Sequence, residues 1–261
     1  RGYLVLLCNT GRDQTLETRF VQMLRAKQVD GAVIIPSHDP QEAVGLLAAA
    51  HIPAIVLEHD LPGSHCIVVD DLAGGRLATQ HLLDQGHRRI GLIRYTAFTM
   101  ISGLRLDGYR KGLEAAGIAV DPALLIECDD GYAAGCEAME RLLNLADPPT
   151  AVFTHNDVLG LGAMHAVQRR GRLISRDVSI VGYDDTASSA YFNPPLTTVQ
   201  LPIERIGREA ALKLLDLVHR DPAPQPQPQT IRLPVQLVAR GSTAPPAPDL
   251  LPRCVPTGRV G

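Results

Sequence analysis

The sequence predicts an α/β protein of two lobes, each a doubly wound parallel sheet, and three observations carry that prediction. Short apolar runs alternate with amphipathic helical stretches along almost the whole chain, the pattern of repeated β/α units. Several of the runs, such as Ala54-Ile55-Val56-Leu57, are apolar without alternation, as strands covered on both faces are. The 261 residues, 45% of them hydrophobic, suffice for two lobes of roughly 100 to 150 residues each, and two lobes imply a cleft.

In chain order, Tyr3 to Leu7 is predicted as a strand and Gln14 to Lys27 as a helix with Leu16, Phe20, Met23 and Leu24 on one face. Gly31 to Pro36 is an apolar strand ended by its proline. A helix from Pro40 to Ala50 and strands Ala54–Leu57 and Cys66–Val69 complete the first series. After Asp70-Asp71, a helix from Gly74 to Gln85 stops at Gly86, a glycine suited to a helix C-terminus. Strand Arg89–Ile93 and a helix from Ser102 to Ala116, closed by Gly117, follow. Strand Leu124–Glu127, helix Ala133–Leu145, strand Ala151–Phe153, helix Asp157–Arg170 and strand Ser179–Val181 form the rest of the second series. A helix from Ile203 to His219 precedes Pro222, Pro224, Pro226 and Pro228, whose alternate spacing fits an extended polyproline linker. A last strand is predicted over Thr230 to Ala239, and beyond Ala244 the proline-rich tail lacks apolar periodicity and reads as disordered.

Composition narrows the function. A net charge of −3, with lysines and arginines dispersed, gives this segment no field for attracting nucleic acid. No apolar run reaches the roughly 18 residues of a membrane span, and the N-terminal run is too short for a signal peptide, so a soluble, cytoplasmic protein is expected. Cys8, Cys66, Cys128, Cys136 and Cys254 contain no Cys-x-x-Cys pair, which predicts reduced, mostly buried thiols without zinc or redox chemistry. Dinucleotide, nucleophile-elbow and phosphate-loop motifs are absent, and the nine histidines show no His-x-x-x-His spacing. Neither an enzyme nor a cofactor or metal is expected.

The densest signal is Asp177-Val178-Ser179-Ile180-Val181-Gly182-Tyr183-Asp184-Asp185, followed by Pro194-Pro195-Leu196-Thr197-Thr198-Val199. A buried strand here delivers two carboxylates to its carboxyl end, where open α/β sheets bind ligands. Together with Gly86-His87-Arg88-Arg89-Ile90-Gly91-Leu92-Ile93 and Arg105-Leu106-Asp107-Gly108-Tyr109, these segments resemble the effector-sensing domain of the lactose/galactose-repressor family of bacterial transcription regulators. The likeness covers nearly all of residues 1–243.

The resemblance implies a periplasmic-binding-protein-like type I fold, with two lobes joined by three crossing strands and a ligand cleft between them. Carried over, residues 1–69 plus 200–232 form the N-terminal lobe, 70–199 plus 233–243 the C-terminal lobe, and 244–261 the disordered tail. It also implies a small-molecule effector (sugar, sugar phosphate or purine), a homodimer through Gln14–Lys27 and Thr186–Tyr191, and operator DNA bound only through a helix-turn-helix upstream of Arg1. Gly2 to Thr10 matches the family's second strand, so the first strand and helix are also expected upstream. A sugar-binding protein of a transport system shares the fold and is the alternative.

Six residues emerge as candidate ligand contacts. Arg105 matches a family position that hydrogen-bonds effector, and its planar fork of donors suits vicinal hydroxyls or a carboxylate. The plain alternative is an arginine paired with a carboxylate. Asp184 matches the family's effector-binding carboxylate, with the cap of the segment Thr186 to Tyr191 as its plain alternative, and Asp185, ranked behind it, could equally cap there. Asn156 faces the cleft in the family, though one of Asn156 and Asp157 is expected to cap the following helix. Glu58 aligns with an acidic cleft residue, Asp70 sits at the first crossing, and Asp130 stands where many relatives carry an aromatic ring. Arg94-Tyr95 replaces the family's Gly-Pro, putting a cation and a phenol at the cleft mouth and favouring a phosphorylated or acidic effector.

Overall fold

The computed structural model describes residues 2–36, 39–96, 100–219 and 227–248. The elements run α1 (Gln14–Ala26), β1 (Ala32–Ile34), α2 (Gln41–Ala49), β2 (Ala54–Leu57), β3 (His65–Val69), α3 (Asp71–Asp84), β4 (Ile90–Tyr95), α4 (Met100–Ala115), β5 (Leu125–Cys128), α5 (Tyr132–Leu143), β6 (Ala151–Thr154), α6 (Asp157–Arg169), β7 (Ser179–Asp184), β8 (Thr197–Gln200), α7 (Ile203–Val218), β9 (Thr230–Leu233) and β10 (Gln236–Val238). They divide into two compact units, residues 1–70 with 202–234 and residues 71–201 with 235–261. No helix among the described residues is long and apolar enough to cross a membrane.

The first unit holds a parallel sheet of order β1-β2-β3-β9. Its helix α1 is capped by the Asp13 carboxylate, which accepts from the amides of Thr15 and Leu16, groups that the first turn leaves without helical partners. A small core of Val21, Ala32, Ala43, Leu47 and Ile52 packs α1 and α2 together with the start of β1. The predicted strand Tyr3–Leu7 does not form, and Leu4, Val5 and Leu7 are 95%, 89% and 93% exposed. A strand exists only where a neighbour satisfies its backbone, and here β1 stands at the sheet edge with β2 as its partner. High β-propensity alone did not make an element.

The second unit carries a sheet of order β10-β8-β7-β6-β4-β5, parallel except for β10, which runs antiparallel to β8. The predicted single strand 230–239 is therefore two, β9 and β10, in different sheets. Pro234 separates them, because proline has no N–H to continue a ladder. Apolar cores lie on both faces of the larger sheet: Met139, Leu142, Leu159 and Met164 on one, Leu82, Tyr109, Leu113 and Phe153 on the other. The helix pairs approach through glycine. A Cβ at Gly75 would lie 2.3 Å from the Arg105 carbonyl oxygen, and one at Gly108 2.3 Å from that of Leu72.

The chain end departs from expectation at its start. Ser242 accepts from the Thr197 amide at 2.8 Å and donates to the Ile180 carbonyl at 2.6 Å, while Ala244 exchanges hydrogen bonds with the Ser179 hydroxyl. Residues 242–244 thus complete backbone groups along β7 and β8, so the expected tail is ordered at Ala244. Residues 249–261 lie outside the described residues, as do Pro222, Pro224 and Pro226 of the expected polyproline linker.

His87 locks this return in place. Its Nε2 donates to the Ala244 carbonyl at 2.9 Å and its Nδ1 meets the Thr150 hydroxyl at 2.9 Å, so the neutral ring satisfies both neighbours. Burial holds its pKa below the ordinary 6.5 despite the Ala244 hydrogen bond. The unfolded chain therefore takes up the proton first as pH falls, and the native state loses stability from about pH 6.5 downward until the folded-state pKa is passed. Thermal denaturation should give a lower Tm at pH 5 than at pH 7, with a smaller difference in His87→Gln. Equal pH dependence in the two proteins would remove His87 from this role.

Candidate functional site

The carboxyl ends of β4, β6 and β7 and the amino ends of α3, α4 and α6 gather the polar chemistry of the second unit. At its centre is Arg105, 5% exposed. Its Nε donates to Asp71 at 2.8 Å, its Nη1 to the His155 carbonyl at 2.5 Å, and its Nη2 lies 3.8 Å from Asp184 Oδ1. The guanidinium carbon sits 3.6 Å from the centroid of the Tyr183 ring, the geometry of a cation–π contact. Burial by itself would lower the arginine's pKa, but the adjacent Asp71, Tyr183 and Asp184 outweigh it and raise the value. The charge is permanent and almost fully committed.

Local sequence explains this assembly. Asp71 is the first residue of α3 and only 3% exposed. Gly74, a turn further, leaves room for Tyr183, whose hydroxyl would lie 2.1 Å from a Cβ there. With Tyr183 seated in that gap, its ring forms a floor for Arg105, and burial pushes the phenol's pKa up, keeping it neutral.

Asp184 ends β7 at φ +107° and Asp185 follows at φ +57°, backbone conformations that side-chain-bearing residues seldom adopt and that gather at functional sites. The two carboxylates diverge. The Asp184 side chain is 29% exposed beside Arg105. That of Asp185 turns inward, accepting from Arg240 Nη2 and Gln200 Nε2, each at 2.6 Å, so it braces β8 and the chain after β10 instead of capping the following 3-10 turn.

Asn156 is the cap of α6, its Oδ1 accepting from the Leu159 amide at 2.8 Å, and its Nδ2 donates to Asp130 Oδ1 at 3.1 Å. The structure thus joins Arg105 to Asp184 and Asn156 to Asp130 in the second unit. Glu58 and Asp70 belong to the first unit. Glu58 follows β2 at φ +65°, with its amide on the Ile67 carbonyl, and the Asp70 amide donates to the Leu233 carbonyl at 3.0 Å.

One sequence expectation is corrected. Arg94 does not offer a cation for a phosphate, because β4 and β5 pair with Arg94 opposite Glu127 and the two side chains form an ion pair at 2.6 Å. Tyr95 instead faces the His155 ring at 6.2 Å between centroids. Sequence reasoning missed Asp71, His155 and Tyr183 as parts of the site and treated Asp157 only as a cap. The available signals were adjacency to Asp70, Asn156 and Asp184.

Residues 79–243 match the family model for the periplasmic binding protein-like domain. The HTH-type transcriptional repressor PurR of Haemophilus influenzae (strain PittEE) is 36% identical over 250 residues, 93% of this chain and 73% of that protein. The HTH-type transcriptional repressor CytR of Escherichia coli (strain K12) is 38% identical over 221 residues, 82% of this chain and 64% of that protein. Among solved structures, a LacI family transcriptional regulator from Enterococcus faecalis V583 with bound ribose has a TM-score of 0.82 at 31% identity, covering 93% of this chain and 88% of that one.

Proposed function

Because the chain belongs to the LacI family of transcriptional regulators and is the effector-binding domain of one, we propose that its effector is an uncharged, hydroxyl-rich molecule held by Asp184, with Asn156 and Asp130 as further contacts. Arg105 acts as the fixed countercharge that keeps the Asp184 acceptor in place. The observation that carries the reading is the approach of the partly exposed Asp184 carboxylate to the buried Arg105 guanidinium.

The neutral class follows from charge. At these strand ends Arg94 is paired with Glu127, Arg105 with Asp71 and Arg240 with Asp185. A phosphate would meet Asp184 and Asp130 beside these three arginines, each already paired with a carboxylate, and like charges at short range repel strongly where water is excluded. A sugar or nucleoside instead donates hydroxyl protons to the carboxylates. The ribose bound to the Enterococcus faecalis regulator supports this class.

The same reading makes the chain a cytoplasmic homodimer, through α1 and residues 186–191, that governs operator DNA through a helix-turn-helix. Effector would bias one of two conformational states by its difference in affinity for them. Thermal shifts with ribose, cellobiose, adenosine, cytidine, hypoxanthine and ribose 5-phosphate test the proposal. A neutral compound should raise Tm, by up to about 2.7 kcal/mol of stabilisation at a hundredfold excess over Kd, and Asp184→Asn should remove the shift. A response confined to ribose 5-phosphate, or one indifferent to Asp184→Asn, would refute it.

A further inference from the structure

We propose that Asp157 is the positioning residue of the effector site, the group that holds the strained Asp184-Asp185 turn in its binding shape. The proposal rests on the reading of Asp184 as the effector's acceptor and concerns how that acceptor is fixed.

Asp157 is the first residue of α6, next to the cap Asn156, and it is completely buried. Its carboxylate is not used on its own helix. Oδ2 accepts from the Thr186 amide at 2.7 Å, from the Thr186 hydroxyl at 3.2 Å and from the Ser189 hydroxyl at 2.6 Å, and Oδ1 accepts from the Thr198 hydroxyl at 2.6 Å. These four donors are neutral, a suitable set for a carboxylate beside the partly positive amino end of a helix. They come from two places, the segment after Asp185 and strand β8.

The path of this side chain is built into the sequence. It crosses Gly182, where a Cβ would lie 2.3 Å from Asp157 Oδ1 and 2.8 Å from Leu196. Gly182 is therefore required by the close approach of Asp157, two residues before the carboxylate that faces Arg105.

The consequence is mechanical. Ladder pairing of β7 with β6 and then with β8 fixes the chain as far as Asp184, which stands opposite Gln200. Asp157 fixes it again at Thr186 and Ser189. Between these anchors stands Asp185, its side chain held by Arg240 and Gln200, and both it and Asp184 before it are at positive φ. Such conformations persist where the surroundings over-determine them; Arg240 and Gln200 hold the Asp185 side chain, and Asp157 fixes the backbone that follows it through the Thr186 amide. Because the same carboxylate holds Thr198 on β8, the turn and the strand move as one body.

Hydrogen–deuterium exchange of the ligand-free protein tests this directly. Asp157→Asn keeps the size but puts an amide N–H₂ against hydroxyl donors, and it should accelerate exchange across residues 184–191 at least tenfold. Thr198→Val, which removes a single bond, should give a smaller acceleration and Thr198→Ser none. A core truncation, Leu142→Ala, supplies the control for general destabilisation and should leave residues 184–191 no faster than the rest of its unit. For a neutral compound that binds the wild type, Asp157→Asn should raise Kd tenfold or more, and Leu142→Ala should leave it within twofold. Should Asp157→Asn fail to fold, Ser189→Ala and Thr198→Val carry the same comparison.

Exchange over 184–191 in these variants no faster than in wild type or Leu142→Ala would overturn the proposal. If none of the neutral compounds binds the wild type, the effector reading fails while the exchange result still decides whether Asp157 positions the turn.

Discussion

Arg105→Ala is expected to cost the second unit about 3–5 kcal/mol and to abolish effector binding. The cost arises from what remains: the Asp71 carboxylate, almost without access to water, loses its 2.8 Å partner, and an uncompensated buried charge is destabilising on that scale. The His155 carbonyl loses a donor and the Tyr183 ring its cation as well. Calorimetry would read this as a drop in Tm on the order of 10 °C.

A second protein separates structure from recognition. Replacing both partners, Arg105→Met with Asp71→Leu, removes the two charges together and should recover most of the stability, as buried ion pairs exchanged for apolar groups commonly do. Binding should not return, because Asp184 still lacks its countercharge. A single substitution costing under about 1 kcal/mol, or a double variant that binds effector like wild type, would show that the pair does not organise the site.

Gly75→Ala is expected to be nearly as severe, at about 3 kcal/mol or more. Its Cβ would meet the backbone of Arg105, with the carbonyl oxygen at 2.3 Å and Cα at 3.1 Å, and backbone cannot rotate aside as a side chain can. The helices α3 and α4 would have to separate, and overpacking of this kind costs about 1–3 kcal/mol even where side chains share the strain. Moving α4 also withdraws Arg105 from Asp71 and Asp184, so binding falls with stability. Gly103, on the same helix α4, has nothing within 4 Å of its Cβ position. Gly103→Ala should therefore stabilise, by up to about 1 kcal/mol of helix propensity. Denaturant titrations giving the two substitutions the same sign would sink the packing argument.

The order of elements from β2 to α6 was legible because each apolar strand and each helical face must bury itself, whatever its neighbours are. The positions of Arg105 and Asp184 were legible too, from the Arg-Leu-Asp-Gly-Tyr segment and from the strand that ends in two aspartates. Tyr3–Leu7 shows the limit of that reasoning. Its residues favour a strand, but a strand is a property of two chains side by side, and nothing local reports whether the second is there.

The sequence by itself determined the fold class, because hydrophobic periodicity records burial residue by residue. It also determined the helix stops at Gly86 and Gly117, where the backbone takes φ of +98° and +70°, conformations that glycine adopts without steric cost. Only the tertiary structure decided which carboxylates serve which purpose. Asp71 neutralises Arg105 across 34 residues of chain and Glu127 neutralises Arg94 across 33, while Asp184, 3.8 Å from Arg105, stays partly exposed. Asp157 and Asp185 turn inward to hold the turn that carries it. Adjacent aspartates are chemically identical in sequence; partners brought by distant strands and helices give each its own environment and therefore its own role.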